Sequence, residues 1–184
     1  MMRAIAHIMA MTIASPIFER MPSMVWLPYS QLIEVKRWAD RGLCDAIRKN
    51  RDKLNEQERH ILLLILDHIH VVDCIFRHHL EGTRHAYRAP RSETLPTFDR
   101  LADDMKAVDD WYAAYVGRLL PEAFEEPLDF VFTSGKPARM TRAQILLHIC
   151  QHGSYHRGNA GAVLQLKELA PGRDAITDYL EQAA

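Results

Sequence analysis

Apolar residues recur at helical spacing along most of the 184-residue chain, and four long runs of them predict four helices. From Tyr29 to about Asn50 the positions Leu32, Ile33, Val35, Ala39, Leu43 and Ile47 follow that spacing, with Ser30 as the cap. A second run, from about Asn55 to Leu80, has no internal Pro or Gly and is closed by Gly82. The third runs from about Thr97 to Leu120, with Leu101, Met105, Val108, Tyr112 and Val116 on its apolar side, and Pro121 ends it. Residues 128–139 alternate in character and turn at Ser134-Gly135. Thr141 then caps a fourth run to about Leu169, stopped by Pro171-Gly172, and an amphipathic tail follows from Asp174 to about Glu181. The expected fold is all-α: a four-helix bundle over residues 29–184, with a short β-hairpin or extended loop before the last long helix and a short C-terminal helix. Residues 1–28 read as a leader or as a start codon placed too early, with Met21 or Met24 as the true beginning. Their apolar run is too short to span a bilayer.

Charge narrows the functional classes. With 23 basic and 24 acidic residues the chain lacks the basic footprint of a nucleic-acid binder, and Arg84, Arg88 and Arg91 look scattered. Cys44, Cys74 and Cys150 have no CxxC spacing and suit a reducing cytoplasm. Neither nucleic acid nor membrane is expected as a partner.

The chemistry concentrates in the fourth helix, where His148, His152 and His156 stand four residues apart on one face. Imidazoles near neutrality offer lone pairs to a transition metal. His148 and His156 lie about 12 Å apart along the axis at roughly 1.5 Å per residue, so only an adjacent pair can share an ion. Gly153 occupies the place of the glutamate in HExxH, which weakens a protease reading. A third ligand must come from another helix, and the second offers His60, His68, His70, His78 and His79. Among these His68 lies deepest in the apolar run, near Leu64, Ile65, Val72 and Ile75, so its side chain is expected to face the bundle core. His78 and His79 suit the end of a helix, where a cationic imidazole meets the helix dipole. The plain alternative for the whole set is buried histidines satisfied by hydrogen bonds.

The segment Met140-Thr-Arg-Ala-Gln-Ile-Leu-Leu-His148-Ile-Cys-Gln-His152-Gly-Ser-Tyr-His156-Arg-Gly-Asn resembles the HGxxHRG element of the DinB/YfiT-like superfamily of metal-binding bundles. Asp67-His68-Ile-His-Val-Val-Asp73, Val35-Lys-Arg-Trp38-Ala-Asp40 and Phe132-Thr-Ser-Gly-Lys-Pro-Ala-Arg-Met-Thr141 resemble its other landmarks. Asn159 and Gln151 depart from the commoner glutamine and asparagine. The resemblance, over about Tyr29 to Leu180, implies a three-histidine site for zinc, nickel or a similar divalent ion, held by His68, His152 and His156. It implies a homodimer, and chemistry of two kinds: transfer of a low-molecular-weight thiol, as in mycothiol-dependent maleylpyruvate isomerases and bacillithiol transferases, or hydrolysis of a small-molecule substrate. A non-catalytic, stress-related metal binder is the competing reading.

Around this site the remaining side chains have modest expected roles. His148 supports from the core, and Cys150 packs there too. Asp73 orients a ligand or forms an interhelical pair, and Arg157 either holds an anion or anchors neighbouring helices. Tyr155 either donates to a substrate or packs at the rim. Gly158 and Gly161 permit close helix approach, and Trp38, Trp111, Tyr112 and Tyr115 form core or a dimer face.

Overall fold

The structure, a computed structural model, describes residues 27–183, so the leader reading falls almost wholly outside the described residues. Five helices and one hairpin follow in order: α1 (Leu27–Lys49), α2 (Glu56–Glu81), α3 (Phe98–Val116), β1 (Pro127–Val131), β2 (Pro137–Thr141), α4 (Arg142–Gln165) and α5 (Ile176–Ala183). Short 3-10 turns lie at Arg51–Lys53 and Pro121–Glu125. None of these helices is long and apolar enough to cross a membrane.

Local chemistry fixes most boundaries. Asn55 and Glu58 form a reciprocal capping box at the start of α2, and Gly82, at φ 67°, closes that helix in a left-handed turn that favours glycine. Thr141 and Gln144 form a second box on α4. β1 and β2 pair antiparallel from Pro127↔Thr141 to Val131↔Pro137, the expected hairpin. Three expected ends move. Helix α1 is already formed at Leu27, the first described residue, which puts Ser30 inside the helix instead of at its cap. The third helix stops at Val116 with Gly117 as its cap, short of Pro121. The fourth ends at Gln165, before Glu168 turns left-handed at φ 57°.

Two apolar cores set the direction of each helix. One gathers Ile33, Phe76, Leu80, Tyr112, Val116, Leu146 and Ile149; the other gathers Leu43, Ile47, Leu62, Leu66, Leu101, Met105, Ala160 and Leu164. The first thus joins the starts of α1 and α4 to the ends of α2 and α3, and the second joins the opposite halves. α2 and α3 therefore run the same way, and the chain needs a connection the length of the bundle to return from one to the start of the next. Residues 82–97 are that connection. They cross the outside of α2, where Ser92 donates from its backbone N–H (2.9 Å) and its hydroxyl (2.5 Å) to the buried Asp67 carboxylate.

Between the two cores lies a layer of buried charge. Lys36, 2% exposed, places its ammonium 2.8 Å from Asp40, 2.7 Å from Asp73 and 2.5 Å from Asp109. Arg157 bonds Asp40 at 3.0 Å and Asp174 at 2.8 and 3.0 Å. All four long helices contribute a side chain, so the layer fixes their relative height. A buried ion array of this kind is indifferent as a source of stability but severe against loss of one member. Asp73 and Arg157 thus take their interhelical alternatives, and Asp73 does not touch the histidines.

The remaining expected packing residues separate. Tyr112 is fully buried and donates to the Asp73 carbonyl at 2.8 Å, while Trp111 stacks on Tyr115 at 4.8 Å. Trp38 is not a core residue: it is half-buried, packs on Tyr179 and donates to Gln182 at 2.9 Å, which pins α5 to α1. A Cβ on Gly161 would meet Pro171 at 3.2 Å, whereas one on Gly158 would meet nothing within 4 Å, so only the first glycine serves a close approach.

Candidate metal centre

The three selected histidines converge. α2 supplies His68 and successive turns of α4 supply His152 and His156, and one ring nitrogen from each lies within 4.8 Å of the others. Their ring centroids are 4.5 to 4.8 Å apart, with His68 Nε2 3.0 Å from His152 Nε2. The reason is antiparallel packing: Arg142 at the start of α4 donates to the Leu80 carbonyl at the end of α2 (2.9 Å), which brings residue 68 level with the turn between 152 and 156. One correction concerns His68. It is half-buried and does not face the core, because Leu64 one turn earlier is 41% exposed and the shared face opens into the groove between α2 and α4.

Hydrogen bonding sets the donor atoms. His68 Nδ1 donates to the Pro90 carbonyl at 2.7 Å, so its Nε2 presents a lone pair toward the other rings. His152 Nδ1 is buried with no partner. Burial first, and then the neighbouring imidazoles His156, His68 and His148, push His152 down to about 3; His156 is lowered by burial and by His68. His152 and His156 thus stay available as neutral donors near neutrality. The set fits a transition metal, because three imidazole nitrogens converge, the His68 tautomer is fixed by a backbone carbonyl, and nitrogen donors suit zinc or nickel.

The other histidines stay outside. His148 packs on Phe76 at 4.8 Å, 5.6 Å from His152, the supporting place expected of it. His60 is exposed, His70 lies 3.6 Å from the Cys74 sulfur, and His78 shares a 2.7 Å hydrogen bond with Thr83. His79 stacks on Phe130 and is driven down to about 4, mainly by burial, so it carries no charge for the helix dipole near neutrality. Tyr155 is 68% exposed beside His156, at the rim and not packed.

No cysteine competes for the role of nucleophile. Burial pushes Cys44 and Cys150 up to about 12 and Cys74 up to about 11, so all three stay protonated thiols. Sequence reasoning missed Asp67, Pro90 and Ser92, which hold the return loop against His68. Those contacts join residues 22 and 25 positions apart through a loop, and no periodic pattern carries them.

Comparison with known proteins agrees with this construction. The family described as DinB family matches residues 25–183, and no curated protein matches the chain.

Proposed function

Because the chain belongs to the DinB family, we propose that it is a metal-dependent enzyme acting on a small molecule, either a thiol transferase or a hydrolase. The observation that carries this reading is the donor count: among the described residues, three imidazoles converge and no fourth protein ligand joins them. Structural zinc sites are generally closed by four protein ligands, whereas catalytic ones keep a position open. His68, His152 and His156 would hold zinc, nickel or a similar divalent ion, which supplies Lewis acidity to activate a thiol or a water molecule.

The chain's own residues prepare that chemistry. Pro90 fixes the His68 ring, antiparallel packing of α2 on α4 sets the spacing of the three donors, and the exposed Tyr155 ring walls the approach beside His156. Since the protein's cysteines are held protonated, a thiol in such a reaction comes from a co-substrate. The unpaired cysteines are in keeping with a cytoplasmic protein, and a homodimer completes the reading.

Elemental analysis of untagged protein beside His152→Ala tests the site, with one divalent ion per chain expected in the first and none in the second. Activity is tested by giving the metal-loaded protein a panel of low-molecular-weight thiols with a generic electrophile, and separately ester and amide substrates. Turnover that is absent, or equal in His68→Ala, would overturn the enzyme reading and leave a non-catalytic metal binder.

A further inference from the structure

The return loop that crosses α2 carries three arginines, and two of them are held beside the histidine cluster. Pro90 accepts from His68 at 2.7 Å and Ser92 donates twice to Asp67, so the backbone of Arg91 is anchored on both sides. Arg88 is anchored as well, between Pro90 and Tyr87, whose hydroxyl is bonded to Cys74. Arg88 and Arg91 thus leave the backbone within two residues of the carbonyl that meets His68, with consecutive Cα atoms about 3.8 Å apart.

Both side chains are exposed, and neither has an ionic or hydrogen-bonding partner among the described residues. Nine other described arginines each sit against a carboxylate, whereas Arg84 and Arg118 share the absence of one and Arg41 and Arg59 bond only backbone carbonyls. The surroundings supply no substitute. α4 from Arg142 to Gln165 contains no Asp or Glu, both oxygens of Asp67 are taken by Ser92, Asp104, the acidic neighbour of Tyr87 on α3, is bonded by Arg100, and Glu93 lies beyond the Ser92 anchor. Three neutral imidazoles also leave a bound divalent ion its full positive charge. With an ion bound, the open face would be positive at two depths, with the arginines of an anchored loop at its rim.

We infer that Arg88 and Arg91 form an anion-recognition rim, and that the substrate or co-substrate of the three-histidine site carries a carboxylate or phosphate group beside the reacting centre. This inference rests on the proposed function for the identity of the site, but not for the behaviour of the two arginines. A guanidinium binds either anion through paired N–H donors. Arg84 serves as an internal control: it lies on the same loop and is also exposed, but it precedes the Tyr87 anchor.

The test is calorimetric titration of the full-length protein with inorganic phosphate and, separately, malonate, with zinc bound and after chelation. The chains are wild type, Arg88→Gln/Arg91→Gln and Arg84→Gln, each checked for zinc content and melting temperature. Wild type and Arg84→Gln are expected to bind one of the anions alike, and the double variant about tenfold or more weaker at unchanged zinc content. The anion bound more tightly identifies the group. No binding by wild type, equal binding by the double variant, or an equal loss in Arg84→Gln would overturn the rim. Arginine-dependent binding in a wild-type protein that takes up no zinc would instead overturn the metal reading and leave the rim standing.

Discussion

Two polar assemblies meet α4 at adjacent residues and are built on opposite principles. His152 and His156 face the groove toward α2, and Gly153 and Arg157, each one residue further on, face the layer of buried charge. In the groove, imidazole nitrogens converge with His152 and His68 sharing a 3.0 Å hydrogen bond, one imidazole nitrogen is buried without a partner, and the rings stay half-exposed. In the charge layer, ammonium and guanidinium are wrapped by carboxylates and sealed between two apolar cores. The first arrangement gains nothing by itself and is ready for a ligand; the second is complete without one. The contrast separates residues that build the bundle from residues that use it, although both are polar and neighbours in sequence.

The contrast can be broken most forcefully from the sealed side. Lys36→Met leaves three buried carboxylates facing one another, and a loss of about 3–5 kcal/mol in urea unfolding is expected; a loss below 1 kcal/mol would mean the layer is not the structural one. Acidity probes the same layer. Burial, only partly offset by Lys36, raises Asp73 to about 6 from 3.8, and burial also raises Asp109. The folded state therefore keeps protons on these two acids that the unfolded state releases, so their contribution to metal-free stability should fall as pH rises from about 4 to about 7, against the opposite contribution of His152 and His79, whose lowered values favour the folded state as pH rises. The Asp73 share is read from the difference in urea midpoint between wild type and Asp73→Asn, which should change across this window; a difference that stays constant would contradict the assignment.

Gly153 tests the boundary between the assemblies. A Cβ there would lie 2.9 Å from an Arg157 Nη1 that is held by Asp40, and 3.5 Å from Lys36. Gly153→Ala should cost about 1–3 kcal/mol by disturbing the ion layer. His68→Ala should change metal-free stability least, by roughly 1 kcal/mol or less, since it removes a half-exposed ring. It should nonetheless abolish stoichiometric metal binding, measured by elemental analysis. A large thermal destabilisation of metal-free His68→Ala would assign that ring to the scaffold.

Much of this was legible beforehand because it is periodic. Helical spacing located all four long helices, and Thr141 and Gly82 marked two ends. Spacing along the fourth helix limited its three histidines to an adjacent pair, and family resemblance selected that pair and His68. What escaped is what periodicity treats as noise. Lys36 and Asp40 lie on the Ile33, Leu43 and Ile47 stripe, Asp73 between Ile69 and Phe76, and Asp109 between Met105 and Tyr112, so each helix carried a charge on its apolar face. That repeated violation was the available signal for the ion layer. The exposure of His68 was misread because apolar neighbours do not guarantee a covered face, as Leu64 shows. Anchoring of the return loop depends on contacts made only after the bundle forms.

The antiparallel meeting of α2 and α4 also sets a timetable. His68 and His152 are 84 residues apart in the chain, so a ribosome finishes one long before it makes the other. α1, α2 and α3 can begin to associate during synthesis, but the three donors cannot meet until the final long helix has emerged and docked. Under the proposed function, capture of the ion would be a maturation step of a nearly finished bundle, dependent on which metals are available at that moment.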